Sequence, residues 1–230
     1  MDSPPNFFRD INTGKWQGAM VDMAEDMAKT LGVELELVDV GGWGQVVLAL
    51  QANKTDVQFS LQATPARAKA ITFAGPIRND VYAMINGPKA KGFASWAAYN
   101  RPEVKISYQI GGASETIMKK LTPKATILGH KNINEVVLAL KAGQVDAAVS
   151  TTLVILAMLQ KDASLGEFAL PTPEFSLPAY VGLRPDRDPR MKDFITSWAE
   201  WNSLIGVNDQ TIKENLGKIG ITMVPDSVHF

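Results

Sequence analysis

Apolar and polar residues along the chain follow two periods, one typical of helices and one typical of strands. The first pattern predicts a helix that ends at Gly32, with apolar residues at Met20, Met23, Met27 and Leu31. Apolar and acidic residues then alternate over 33–37, which predicts a strand. Further helices are predicted over 46–52, 114–121, 134–142, 153–160 and, as a pair, within 190–216; further strands over 56–61, 81–85, 104–108 and 146–150 and around Ile127. This alternation predicts an α/β protein with parallel sheets covered by helices.

One helix–turn–strand pattern occurs twice. The sequence VVLALQA at 46–52 returns as VVLALKA at 136–142, 90 positions later. An aspartate and a serine follow each copy, at Asp56 and Ser60 and then at Asp146 and Ser150. Because solenoid repeats have periods of about 20–50 residues, the repeat favours two related lobes. Chance similarity between two units of the same type is the alternative.

Two extended segments, 81–87 and 176–183, are the expected crossings between these lobes. The first lobe would then be discontinuous, with residues 1–84 and 181–230, and the second would hold residues 85–180. Two short strands joining two lobes would act as a hinge.

Composition excludes several kinds of protein. The chain has 46% apolar residues and a net charge of −1, from 23 basic and 24 acidic side chains, so no nucleic-acid partner is expected. No apolar stretch approaches the roughly 20 residues that span a bilayer. The absence of cysteine excludes disulfides and thiolate chemistry, and the only histidines, His130 and His229, make a metal site or a serine–histidine relay improbable. We therefore expect no cofactor and no metal.

Three features suggest small-molecule binding. Arg67 follows a predicted strand in the motif Thr-Pro-Ala-Arg, where open α/β sheets bind ligands, and its guanidinium could bind a carboxylate in a bidentate manner. The loop 111–114, Gly-Gly-Ala-Ser, precedes a helix whose backbone N–H groups could bind an anion, with Ser114 suited as N-cap. Trp43 could offer an aromatic face to a ligand. The alternatives are a solvated arginine, a plain tight turn and a core aromatic.

Over nearly its whole length the chain resembles the family of periplasmic amino-acid-type solute-binding proteins. The resemblance is carried by Pro4–Phe7, Gly14, Gly18–Asp22, Trp43, Asp56 to Arg67, Ile71–Pro76, Gly111–Glu115, Gly143–Ala148 and Val181–Arg184. It implies a type II periplasmic-binding fold of two Rossmann-like lobes joined by two hinge strands, with the ligand in the cleft between them. Since the sequence begins where the family's first strand ends, that strand is expected to be missing from it.

The resemblance also implies roles for particular residues. Arg67 matches the family's carboxylate-binding arginine, Trp43 the aromatic that covers the ligand side chain, and Phe7 an aromatic at the cleft mouth. Ser60 or Gln62 lies where backbone and hydroxyl groups help to hold the ligand. In the second lobe the corresponding positions are Gly112, Ala113, Ser114 and Thr151.

Three of these positions depart from the family pattern. Ala113 stands in a loop where relatives carry hydroxyl groups, Thr151 stands where they place an aspartate for the ligand's ammonium, and Met20 replaces an aspartate of cationic-ligand binders. These departures predict a carboxylate ligand that lacks the α-ammonium group or carries it elsewhere.

The expected function is therefore binding without catalysis: a monomeric, periplasmic receptor, its signal peptide removed, that delivers a small carboxylate-bearing solute to an ABC permease. One alternative is an enzyme on the same fold that resembles cyclohexadienyl dehydratase, with Glu115 or Glu174 as the general acid. Another is a ligand-sensing domain of a larger receptor.

Overall fold

The structure, a computed structural model, describes residues 3–185 and 188–225. In chain order its elements are β1 (Phe8–Arg9), β2 (Trp16–Gln17), α1 (Ala19–Leu31), α2 (Trp43–Gln51), β3 (Val57–Gln62), α3 (Pro65–Ala68), β4 (Thr72–Asn86), α4 (Trp96–Tyr99), β5 (Lys105–Gln109), α5 (Ser114–Leu121), β6 (Thr126–His130), α6 (Ile133–Lys141), β7 (Ala147–Thr151), α7 (Thr152–Lys161), β8 (Glu167–Ala169), β9 (Ser176–Leu183), α8 (Pro189–Leu204) and α9 (Val207–Lys218). Among these helices none is both long and apolar enough to cross a membrane.

Packing divides the chain into two compact units. The first unit comprises Met1–Asp80 and Leu177–Phe230, and the second comprises Val81–Ser176. The chain passes from one to the other inside β4 and β9, the strands that contain the expected lobe boundaries after residues 84 and 180. The interpretation of the units as hinged lobes stays a prediction.

In the first unit, strands β3 and β9 form one edge of the sheet, and helices pack against this edge. Strand β3 pairs antiparallel with β9, and the pairing shifts in register between Gln58 and Leu61. Helix α1 buries one face of small and thioether side chains and ends at Gly32, which adopts the left-handed conformation expected from the sequence. Helix α2 packs Val46 and Leu50 against Leu61 of β3, and these residues form an apolar cluster.

In the second unit β5 lies between two parallel neighbours, one strand in from the edge of the sheet. It pairs in parallel with β6 on one side and with β7 on the other, and β7 then pairs antiparallel with β4. Helices α6 and α7 cover this sheet with an apolar cluster whose members include Ala83, Ile85, Val136, Leu140, Ala148 and Ile155.

The internal repeat is reproduced in three dimensions. Helices α2 and α6 have bounds exactly 90 positions apart, and β3 and β7 begin at Val57 and Ala147 with the same offset. The buried residues also correspond: Val46, Ala49 and Leu50 in α2, and Val136, Ala139 and Leu140 in α6. Equal bounds and equal buried positions show that one helix–turn–strand design is used in both units.

The prediction of a strand over 33–37 is wrong. Residues 33–40 are irregular, although the sequence alternates as a strand should. A strand requires a neighbour that accepts and donates hydrogen bonds along its edge. Among the described residues no segment pairs with this one, so the alternating pattern alone does not form a strand.

Candidate functional site

Arg67 lies in the short helix α3, five residues beyond the end of β3. Thr64 is the N-cap of α3, and its hydroxyl accepts a hydrogen bond of 3.3 Å from the Arg67 backbone N–H. The half-buried guanidinium donates from Nη1 to the carbonyl oxygen of Gln62 at 3.1 Å. This contact holds the side chain against the carboxyl end of β3.

Gln62 and Ser60 belong to a buried polar network beneath Arg67. Gln62 donates from Nε2 to Asp80 Oδ2 at 2.7 Å, and Arg78 donates from Nε to Asp80 Oδ1 at 2.9 Å. The same guanidinium donates to Ser60 Oγ at 2.8 Å and to Asn6 Oδ1 at 2.6 Å. The network therefore supports the two candidate residues of β3 through one buried ion pair.

The ion pair itself was missed by the sequence analysis. The side chains of Arg78 and Asp80 are only 1% and 2% exposed. Both lie in β4 two positions apart, and side chains at that spacing point to the same face of a strand. The available signal was an arginine and an aspartate at this spacing; their partners Asn6, Ser60 and Gln62 are distant in sequence and could not be identified from it.

The backbone at Ser60 is unusual. Its φ is 66°, in the left-handed region, and it lies where the pairing of β3 with β9 shifts register. Non-glycine residues rarely adopt this conformation. The irregular backbone at Ser60 brings its hydroxyl to the Arg78 guanidinium. The main contact of the Ser60 side chain is therefore with the buried polar network.

The two aromatic candidates of the first unit contact each other. The ring centroids of Phe7 and Trp43 are 5.6 Å apart and the rings are tilted by 59°. Trp43 begins α2 and also packs against the apolar cluster of Val46 and Leu50. Trp43 thus packs against the apolar cluster while remaining only partly buried, and its contact with a ligand stays a prediction.

In the second unit the loop after β5 carries Gly112, Ala113 and Ser114. The expectation that Ser114 caps α5 is wrong: Ala113 is the N-cap, Ser114 is the first helical residue, and no side chain caps this helix. Gly111, with φ of 87°, turns the chain so that the helix begins one residue earlier than the serine would require. Ala113 has no side-chain oxygen that could accept a hydrogen bond from the first-turn N–H groups of α5.

Thr151 ends β7 and precedes α7. Its Oγ1 is buried and has no hydrogen-bond partner among the described residues. Buried polar atoms are nearly always paired, so each exception requires an explanation. The neighbouring Thr152 is satisfied, since its hydroxyl donates to the Val81 carbonyl at 3.0 Å.

The two carboxylates considered as general acids differ in their surroundings. Glu115 accepts a hydrogen bond of 2.6 Å from Lys119, and this contact, together with a hydrogen bond from Tyr108, lowers the pKa of its carboxyl. A general acid at neutral pH needs a raised pKa. Glu174 is exposed. Neither arrangement favours proton donation to a substrate.

The described part of the chain contains no cluster of His, Asp and Glu side chains suited to a metal ion. His130 ends β6, and His229 lies outside the described residues.

Comparison with known proteins identifies relatives among solute-binding proteins. Residues 1–105 match the family described as bacterial extracellular solute-binding proteins, family 3. The "Probable histidine-binding protein" of Campylobacter jejuni is 30% identical over 151 residues, which cover 64% of this chain and 55% of that protein. The "Arginine-binding extracellular protein ArtP" of Bacillus subtilis is 27% identical over 161 residues, covering 67% and 60%. The chain thus spans a little over half the length of these relatives.

The fold is similar to that of a solved amino acid-binding protein. The crystal structure of an ancestral amino acid-binding protein, described as a precursor of cyclohexadienyl dehydratase, matches with a TM-score of 0.79 and 28% identity. The match covers 93% of this chain and 91% of the ancestral one. The mixed α/β architecture is therefore that of type II periplasmic binding proteins, as expected. Together, the match over residues 1–105 and the similarity in fold confirm the resemblance to the bacterial extracellular solute-binding proteins of family 3.

Proposed function

We propose that this protein is an extracytoplasmic solute-binding receptor that delivers a small carboxylate-bearing solute to an ABC permease and does not transform it. The observation that carries the proposal is the arrangement at the end of β3. There Arg67 is fixed on the Gln62 carbonyl, and Gln62 is fixed in turn on the buried Asp80.

A fixed guanidinium suits reversible recognition of a carboxylate. Two parallel N–H donors match two carboxylate oxygens, and this geometry adds directionality to the charge attraction. Ordering a long side chain on binding costs about 0.5–1.5 kcal/mol. Because the Gln62 contact already restrains Arg67, part of that cost falls on folding instead of binding.

The similarities support the class of ligand. Two relatives are named for the binding of histidine and of arginine, and the ancestral protein is named as amino acid-binding. All three ligands carry a carboxylate. Arg67 is the candidate partner that this chain provides for it.

Two positions, Thr151 in the second unit and Met20 in the first, favour a ligand without an α-ammonium group at the usual place. The buried hydroxyl of Thr151 can exchange a hydrogen bond but carries no charge to balance an ammonium. Met20 is buried with 3% exposure and offers no charge either. Burying an unpaired charge is costly, of order several kcal/mol. Keto, hydroxy or aromatic carboxylic acids meet these conditions better than standard amino acids.

The experiment is a thermal-shift screen followed by calorimetry. The screen compares the standard amino acids with keto, hydroxy and aromatic acids, and a bound compound raises the unfolding midpoint by mass action. The best compound is then titrated into the native protein, Arg67→Ala, Arg67→Lys and Arg190→Ala. Removing a partner of a desolvated charge pair costs about 2–5 kcal/mol, so Arg67→Ala should lose at least about tenfold in affinity.

The two remaining variants are controls for geometry and for surface charge. Arg67→Lys keeps the charge without the planar fork and should give an intermediate loss. Arg190→Ala removes an exposed arginine paired with Asp188 and should bind as the native protein does. Equal affinity of native and Arg67→Ala protein would overturn the assignment. A screen without a single stabilising compound, with no small molecule found by native mass spectrometry, would contradict the binding function.

A further inference from the structure

Gln62, the last residue of β3, makes hydrogen bonds with both its backbone and its side chain. Its carbonyl oxygen accepts from Arg67 Nη1 at 3.1 Å and from the Thr64 backbone N–H at 2.9 Å. Its side-chain amide donates from Nε2 to Asp80 Oδ2 at 2.7 Å. One residue therefore joins the half-buried guanidinium of the candidate site to a buried carboxylate.

The register of β3 decides that Gln62 makes these contacts. Between Gln58 and Leu61 the pairing with β9 shifts by one residue, and beyond the shift Gln62 pairs with Ala179. At the earlier register Leu61 would pair with Ala179 instead. Because a shift of one residue exchanges the two faces of a strand, the shift brings an amide side chain to Asp80 in place of an apolar one.

The carboxylate that Gln62 contacts is itself held in place. Each of its oxygens has a donor, since Arg78 Nε donates to Oδ1 at 2.9 Å while Gln62 donates to Oδ2. The Arg78 guanidinium also donates to Asn6 and to Ser60, the residue at the register shift. Both members of the ion pair are buried. A carboxylate with both oxygens bonded inside a buried network has little freedom to turn, so Asp80 is a fixed acceptor for the Gln62 amide.

We propose that Asp80 and Gln62 are positioning residues for the recognition of a ligand carboxylate by Arg67. Asp80 holds the Gln62 amide, the amide fixes the end of β3, and the carbonyl oxygen there restrains the guanidinium. The side chain of Gln62 then acts through Arg67 and does not touch the ligand, in contrast to the direct role that the resemblance implies. The inference rests on the proposed function for the ligand, whereas the restraint on Arg67 exists without any ligand.

The chemistry of an amide predicts which substitutions preserve the positioning. A glutamine amide both donates and accepts hydrogen bonds. In Asp80→Asn the new amide oxygen accepts from Arg78, and the new NH₂ group donates to Oε1 of a rotated Gln62 amide. The contact with Gln62 is then kept although the buried negative charge is lost. Gln62→Met has the opposite effect, because it removes the contact and keeps every charge.

Affinity and stability should therefore rank the two variants in opposite orders. Asp80→Asn should be the less stable variant, since a buried guanidinium loses its charge partner, but it should bind a carboxylate nearly as the native protein does. Gln62→Met should be the weaker binder, by at least about fivefold, a size typical of residues coupled within one hydrogen-bonded network. A purely structural role would give a single order, in which the least stable variant is also the weakest binder.

Isothermal titration calorimetry measures the affinities at a temperature where every variant is folded. The probes are phenylpyruvate, phenyllactate and benzoate, which are a keto, a hydroxy and an aromatic acid. Urea denaturation of the same preparations gives the free energies of unfolding. Gln58→Met is the matched control, because Gln58 lies in the same strand and donates to the carbonyl oxygen of the neighbouring Phe59. The same substitution at that position should leave the affinity unchanged.

A second measurement needs no ligand. In protein labelled with ¹⁵N-arginine, a guanidinium whose rotation is restrained gives separate Nη–H signals, and Arg67→Lys identifies the signals of Arg67. These signals should be separate in the native protein, in Asp80→Asn and in Gln58→Met. They should merge in Gln62→Met, because the carbonyl oxygen that accepts from Nη1 is no longer fixed.

The two measurements separate failure of this inference from failure of the proposed function. If none of the three acids binds the native protein while the Arg67 signals merge in Gln62→Met, the restraint on Arg67 is supported and the failure lies with the proposed ligand. Unchanged Arg67 signals in Gln62→Met would overturn the inference. So would native affinity of that variant for a bound acid, or a weaker affinity of Asp80→Asn than of Gln62→Met.

Discussion

Replacing Asp80 by asparagine tests the buried network under the candidate site. In the native protein the Asp80 carboxylate accepts hydrogen bonds from Arg78 and Gln62 and balances the charge of the guanidinium. Asp80→Asn preserves the shape but leaves that guanidinium, 1% exposed, with neutral acceptors alone, which are Asn6, Ser60 and the new amide oxygen. Leaving a buried charge without its partner costs about 3–5 kcal/mol.

The size of the effect is large enough to measure without ligand. For a chain of 150–250 residues each kcal/mol shifts the midpoint by about 2–4 °C, so Asp80→Asn should lower the thermal midpoint by about 6–20 °C. Circular dichroism and tryptophan fluorescence both report it, because Trp198 packs in the first unit against Phe59. Asp188→Asn breaks an exposed pair and is the control, for which no measurable change is expected. If both variants unfold like the native protein, the network does not stabilise the first unit.

Three further predictions concern the second unit. Tyr99→Phe removes the hydroxyl that donates to Asn86 at 2.6 Å, so chemical denaturation should show a loss of about 1–3 kcal/mol; an unchanged midpoint would contradict it. Hydrogen bonds from Lys141 and Ser164 lower the pKa of Asp162 to about 2. Its contribution is therefore present above its unfolded pKa near 4 and is lost between about pH 4 and 2, so Asp162→Asn should flatten that part of a stability–pH profile, and an unaltered profile would refute it. Thr151→Asp places a charge at the unpaired hydroxyl and should give measurable amino-acid binding by calorimetry; continued absence of binding would oppose the assigned position.

The helices and the repeat were predictable because the spacing of apolar residues within a short stretch of sequence specifies them. The seven-residue repeat located α2 and α6, and periodicity placed α5 over its observed bounds. Strand β4 was predicted too short, because Gly75, Pro76 and two charged residues interrupt the apolar pattern before residue 81. Those charged residues are Arg78 and Asp80, the buried ion pair. Their charge within a strand hid both the full length of β4 and the polar network from a prediction based on apolar spacing.

The candidate site was predictable only in part. The position of Arg67 after a strand followed from the sequence, whereas its contact with the Gln62 carbonyl depends on the turn into α3. The predicted N-cap of α5 was wrong because the chain turns at Gly111 and Ser114 is already helical, so Ala113 takes the N-cap position, a backbone effect that residue preferences do not contain. The strand over 33–37 failed for a different reason: pairing depends on a neighbour, and a single segment's pattern cannot specify one.

Ser60 limits the substitutions that evolution can accept at the bulge of β3. A left-handed conformation costs a non-glycine residue about 1–3 kcal/mol, and at this position the residue's hydroxyl is also the acceptor for Arg78. Glycine would remove the backbone cost but also the acceptor, and alanine would remove the acceptor while keeping the cost. A lineage that loses this serine must therefore change residue 78 as well, so the two positions are expected to vary together among descendants of a common ancestor.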